Sequence, residues 1–273
     1  MTKREIEQIT SDFYSKAKSN SNGSATDVKD RINTAVNRIV ALAMLHQVKG
    51  KDFRFGTDKK VALEIASMRD DITKIIVKRS AVAKDISNRL NKRLDIESTD
   101  WDDKAWIDSI RFGQSYAQRL NTYSNRIKFE LEAFIAVGMV KGISNNEIAT
   151  WFMTNIESPH TNKDILDAFG YAAVRASGIL KPGLGGITSA YKSIVRLNDD
   201  MMMSSYAMSN NTSWGVAKLY KYVVTANDSL VCASCQANVG FTFPAGDFLT
   251  PVHNRCRCRE VIILPETENP TQI

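Results

Sequence analysis

The chain has 273 residues, of which 43% are apolar, so it is long enough for one large or two modest domains and too apolar for wholesale disorder. Its longest apolar stretches, residues 39–45 and 134–140, are too short to span a bilayer, and no apolar run follows the N-terminus; neither a membrane protein nor an exported one is expected. The net charge of +6 lies entirely in the first hundred residues, which hold 20 Lys and Arg against 14 Asp and Glu, and this asymmetry suits either an acidic partner such as nucleic acid or a solvated surface.

All six prolines lie at or after Pro159, and apolar positions before it recur at helical spacing. A first helix is expected over residues 3–18, with Ile6, Ile9, Phe13 and Ala17 on one stripe, stopped by the polar run from Ser19 to Ser24. A second starts at a Ser24 to Asp27 cap and runs to about residue 49, burying Val28, Ile32, Val36, Ile39, Val40 and Ala43. A third, over about 57–94, is two-faced: Ile72, Ile76, Ala83, Ile86, Leu90 and Leu94 form one side. Lys74, Lys78, Arg89, Lys92 and Arg93 share an arc about 120° away. Its apolar stripe is expected to pack against a fourth helix, from the Asp100/Asp102 region to about 141, through Trp106, Ile110, Leu120, Tyr123, Ile127, Leu131 and Phe134. Such a pair makes an antiparallel arm roughly 50 Å long or more at the helical rise per residue.

Ser144 and Glu147 form a capping box that opens a short helix to Asn155, ended by the segment around Pro159. A helix over about 162–177, a glycine-rich connector at 181–186 and a last helix over about 188–212 follow. The period then changes, and residues 219–224, 240–243 and 260–264 read as three short strands. The linear division is a helical region over 1–143, a helical connection over 144–217, a β module over 218–264 and a polar tail over 265–273.

All four cysteines fall in one window, as Cys232-Ala-Ser-Cys235 and then His253-Asn-Arg-Cys256-Arg-Cys258. A Cys-x2-Cys knuckle followed by a distant His/Cys pair is the spacing of a structural tetrahedral zinc site. The window offers more candidate ligands than a tetrahedron holds, so Cys232 and Cys235 pair with two of His253, Cys256 and Cys258. A redox pair and unligated thiols in a small β core are the other readings of the same residues. With protein ligands filling the tetrahedron there is no open position for a catalytic water, so the zinc is expected to be structural. The fold class expected is therefore mainly α, an elongated helical body with long antiparallel helices plus a small C-terminal zinc-stapled β module.

The basic arc Lys74, Lys78, Arg89, Lys92 and Arg93 can follow a phosphate backbone, which makes duplex DNA a candidate partner; the alternative is a solvated outer helix face. Arg255, Arg257 and Arg259 alternate with the cysteines; they can hold phosphate or carboxylate groups, the alternative being charged residues on the solvent side of an edge strand. The connector at 181–186 lacks the Gly-Lys-Ser/Thr ending of a phosphate loop, and His46 and His160 have no second ligand or nucleophile nearby in sequence. No paired-carboxylate, Ser-His-Asp or His-Glu-x-x-His signature is present, so a non-enzymatic role is expected over an enzyme using the connector and Arg196.

The run Tyr222-Val-Val-Thr-Ala-Asn-Asp228, Val231-Cys-Ala-Ser-Cys235, Gly240-Phe-Thr-Phe243 and Pro251-Val-His-Asn-Arg-Cys256-Arg-Cys258 resembles the phage Mu protein F-like minor head proteins, the head morphogenesis proteins of tailed phages. The resemblance covers roughly the last third of the chain, from the helix at 188 to Leu264. It departs at Asn254, where that family usually has proline, and at Leu197-Asn198, where an Arg-Thr-Glu triplet commonly begins at the equivalent of Arg196. The resemblance implies a virion component inside the head near the portal vertex, made in the host cytoplasm. Its partners would be portal and capsid proteins, and it would act in head assembly and in genome packaging or delivery. The family includes fusions to toxin domains; with nine residues after Leu264, none is expected here.

Overall fold

The structure, a computed structural model, describes residues 1–43, 45, 53–56, 58–100, 102, 108, 110–111, 113–169, 189–226, 231, 233–247 and 258–265. The expectations for His46, Trp106, the helix beyond 169, the connector at 181–186, Cys232, His253, Arg255, Cys256, Arg257 and residues 266–273 lie outside them. The described chain is mainly helical with a small antiparallel sheet. In order it runs α1 (Lys3–Ala43), α2 (Lys59–Arg93), β1 (Ile110–Arg111), β2 (Gln114–Ser115), α3 (Tyr116–Lys141), α4 (Asn145–Asn155), a 3-10 turn (Pro159–Thr161) and α5 (Lys163–Phe169). It continues through α6 (Ala190–Val216), β3 (Tyr220–Val224), α7 (Ala233–Gln236), β4 (Thr242–Pro244) and β5 (Arg259–Ile263).

The polar run from Ser19 to Ser24 does not stop a helix: α1 passes straight through it. The reason is tertiary. Asn20, Ser21 and Ser24 are buried, and each has a partner from another helix. Asn20 Nδ2 donates to the Arg79 carbonyl (2.9 Å), Ser21 Oγ to Asp199 (2.7 Å) and Ser24 Oγ to Asn198 Oδ1 (2.5 Å). Side chains that compete with the backbone in an isolated peptide here spend their hydrogen bonds on neighbouring helices, so the helix is not interrupted.

The fourth expected helix is also different. Its C-terminal part is α3, which begins at Tyr116 because Gly113, at φ 79°, turns a short β1–β2 hairpin ahead of it. Ser115 then caps the helix: its Oγ accepts from Gln118 N (3.2 Å) while Gln118 Oε1 accepts from Ser115 N (2.9 Å). At the other end Gly142 takes the left-handed conformation (φ 70°) that closes helices. The Ser144–Glu147 capping box forms as expected and opens α4.

The described chain divides into two compact units built from separated stretches: Met1–Ser24, Ile76–Ile107 and Asn198–Ile273 in one, Ala25–Ile75 and Asp108–Leu197 in the other. In the first, Ala83, Ile86, Leu90 and Leu94 of α2 share a core with Ile6 and Ala17 of α1, Met203, Tyr206 and Trp214 of α6, and Val261 and Ile262 of β5. The apolar stripe of α2 is thus covered there by α1 and α6, where α3 had been expected. A polar seam runs through the same unit: Ser87 Oγ donates to Asn210 Oδ1 (2.6 Å), Trp214 Nε1 to Asn91 Oδ1 (2.8 Å) and Thr99 N to Ser213 Oγ (3.0 Å). Polar contacts of this kind fix helix register.

In the second unit Leu120, Ile127, Leu131 and Phe134 of α3 are buried, and the Phe134 ring meets Trp151 and Phe152 of α4 at 4.5 and 5.3 Å between centroids. Arg31 of α1 pairs with Asp71 of α2 (2.8 Å), and Arg69 donates to Asn121 of α3 (3.0 Å). Two carboxyls on α3 hold backbone N–H groups from elsewhere in the unit: Glu132 accepts from Phe55 N (2.8 Å) and Glu130 from Ala190 N (2.9 Å).

Candidate functional site

The three expected strands form one antiparallel sheet with β3 in the centre, flanked by β4 and β5. The pairing Lys221 with Ile262 and Phe243, and Val223 with Glu260, sets Lys221, Val223, Phe243, Glu260 and Ile262 on one face. Cys258 immediately precedes β5 and continues that face. Cys235 reaches it from α7, a single turn closed by Ala237 N donating to the Ala233 carbonyl (2.9 Å) and Val239 N to that of Gln236 (3.1 Å). Val239 then bridges Val223, and Gly240, at φ 87°, lets the chain turn into β4.

The result is that Cys235 and Cys258, from opposite ends of the cysteine window, are both buried in one small cluster around Val223, with Val231 and Phe243 packed against it. The described residues contain no group of three or more His, Cys, Asp or Glu side chains placed to hold a metal ion, Cys232, His253 and Cys256 being outside them. The donors that are described suit zinc: two cysteine sulfurs lie in one buried apolar cluster, and sulfur is a preferred ligand of structural zinc.

All five residues of the basic arc, Lys74, Lys78, Arg89, Lys92 and Arg93, are exposed on α2. Lys74 belongs to the second unit and the other four to the first. Lys74 bonds Asp71 (3.1 Å), and this interaction, with Arg31 beside it, holds the Asp71 carboxyl below its usual range. Arg89 pairs with Asp85 one turn earlier. These local pairs neutralise part of the arc, while Lys84 of the same helix is turned to Asp100. Arg196 is half-buried in α6, and Arg259 lies half-buried on the β5 face away from Cys258.

Two features escaped the sequence reading. One is the buried pair Lys221 and Glu260, whose inward placement was encoded in the period of two along β3 and β5. The other is the pair of buried carboxyls on α3. Burial pushes Glu130 up to about 8, against the opposing pull of the Ala190 N–H and Arg126, and burial also raises Glu132. Their signal was their position inside an otherwise apolar run. Among the described residues no helix is long and apolar enough to cross a membrane. Compared with protein-family models, curated proteins and solved structures, the chain finds no match in any of the three.

Proposed function

We propose that this chain is a minor head protein of a tailed phage, a non-enzymatic virion component near the portal vertex that serves head assembly and genome packaging or delivery. The observation that carries the reading is the convergence of Cys235 and Cys258 on the central strand Tyr220–Val224. The order aromatic strand, knuckle, Gly-aromatic strand and Cys-x-Cys entry to a last strand is the order in which the resemblance to the Mu protein F-like family is written. In this reading Cys232 and Cys235, with two of His253, Cys256 and Cys258, hold a structural zinc ion. The ion would supply a cross-link between the α7 turn and the start of β5. The helix bearing the exposed cations, α2, would face portal, capsid or duplex DNA.

The test is quantitative mass spectrometry of purified particles of the phage that encodes the chain. A copy number far below that of the major capsid protein supports the assignment, and absence from the particle refutes it. Deleting the gene should leave head shells able to form but lower infectivity or DNA delivery. A second reading, a zinc-module nucleic-acid-binding protein, draws on the exposure of all five arc residues. It calls for tight, salt-dependent duplex binding by the isolated chain.

A further inference from the structure

Behind the sheet lies a side-chain cluster that the proposed function does not use. Lys221, on the inner face of β3, is fully buried, and its three ammonium hydrogens meet three oxygens: Asn211 Oδ1, the Asp247 carbonyl, and Glu260 Oε1 at 3.1 Å. Asn211, near the end of α6, donates from Nδ2 to the Ala207 carbonyl (2.8 Å) and to Glu260 Oε2 (2.6 Å). Glu260 therefore spans the pair, one oxygen on the amine and the other on the amide nitrogen. The side chains of Lys221 and Glu260 are 0% and 4% exposed, so water does not separate them.

A buried ion pair needs only charge neutralisation; this one has more. An amine rests against an amide carbonyl, and a carboxylate touches both the proton that must leave the amine and the nitrogen that must leave the amide. These are the nucleophile, the acyl group and the proton carrier of an acyl transfer, all within hydrogen-bond reach. We propose that Lys221 and Asn211 are a self-modification site, at which the Lys221 amine displaces ammonia from the Asn211 carboxamide and leaves an intramolecular isopeptide bond, with Glu260 carrying the proton.

The step balances without any co-reactant. Glu260 Oε1 takes a proton from the Lys221 ammonium, and the freed lone pair attacks Asn211 Cγ. A C–N bond forms as the carbonyl π electrons move to Oδ1. Protonated Glu260 then delivers the proton to Nδ2, the carbonyl re-forms, and the C–Nδ2 bond breaks to release ammonia. The surplus proton on the new amide nitrogen leaves with the ammonia as ammonium. One ammonium and one carboxamide have become one secondary amide and one ammonium ion, and Glu260 ends as it began. Burial favours the start, since it holds Lys221 below the usual amine range while the Glu260 charge pulls the other way. The Asp247 carbonyl keeps the attacking nitrogen in place. The bond would join the last turns of α6 to the central strand, between residues 10 apart in sequence.

Intact-mass measurement of the purified full chain tests this directly, together with tryptic mapping. The expected result is a mass lower than the sequence mass by one ammonia. It is accompanied by a tryptic product in which the peptide ending at Lys218 stays joined to the peptide beginning at Leu219, with no cleavage after Lys221. Glu260→Gln, which keeps the shape but cannot carry the proton, and Lys221→Met should both show the full sequence mass. A wild-type chain at full sequence mass and cleaved after Lys221 overturns the proposal, leaving a plain buried ion pair. Loss of ammonia without the joined peptide, the mark of a cyclised asparagine, overturns it equally.

Discussion

Alanine substitutions at two adjacent positions, Gly23→Ala and Ser24→Ala, should move stability in opposite directions, because α1 runs through the polar segment. At Gly23 the nearest atoms to an added Cβ are those of the Arg79 guanidinium, at 3.5 Å, an ordinary van der Waals distance. The substitution then gains the helix-propensity difference between Gly and Ala, about 1 kcal/mol, which raises Tm by roughly 2–4 °C in a chain of this size. At Ser24 the hydroxyl donates 2.5 Å to Asn198 Oδ1, and both residues are 0% exposed. Removing it strands a buried acceptor, at a cost of about 1–3 kcal/mol that exceeds the few tenths alanine gains in propensity. Urea unfolding followed by far-UV circular dichroism reads both. If Gly23→Ala lowers stability and Ser24→Ala leaves it unchanged, the segment is a loop and the helical assignment of α1 is wrong there.

Gly215→Ala should destabilise by about 1–3 kcal/mol in the same assay, since the new Cβ would lie 2.8 Å from Gly246 Cα and backbone cannot step aside as a side chain can. Glu130, raised to about 8, binds a proton in the folded state that the unfolded chain releases near pH 4.5. Its contribution is present at low pH and disappears as pH rises through that window, by up to about 1.4 kcal/mol per pH unit. Glu130→Gln keeps an acceptor for Ala190 N, so its unfolding free energy, measured from pH 5 to 8, should lack that slope; an unchanged slope contradicts the burial argument. Elemental analysis of protein purified without added zinc should find close to one zinc per chain, and a chelator should lower the unfolding temperature; a value near zero removes the metal. Neutralising Lys74, Lys78, Arg89, Lys92 and Arg93 together should weaken duplex DNA binding and lower the salt slope by up to about 0.9 for each phosphate that no longer meets a cation. Unchanged affinity assigns the arc to a solvated face.

Local patterns were legible in the chain. The two-faced period of α2, the Ser144 capping box and the three short strands each need only neighbours in sequence, and each sits within two residues of where it was expected. What was missed depends on partners far away in sequence. Ser19 to Ser24 looks like a helix stop until Asn198, Asp199 and Arg79 take up its hydrogen bonds. Periodicity gave α2 an apolar stripe but could not say that α6 rather than α3 covers its C-terminal half. The start of α3 was written in Ser115 and Gln118, and was overshadowed by the acidic residues before it. At the site, the cysteine spacing named Cys232, Cys235 and two of His253, Cys256 and Cys258, and of these the described residues include Cys235 and Cys258, buried in one small cluster with Val223. The charge on Lys221 and Glu260 disguised two inward strand positions as surface ones.

The assignment as a minor head protein is tested most directly by an asymmetric reconstruction of the portal vertex in intact particles. Density for this chain is expected at a few sites inside the head, against the portal or its immediate neighbours. A uniform distribution over the icosahedral shell, or no density in the particle, would contradict it.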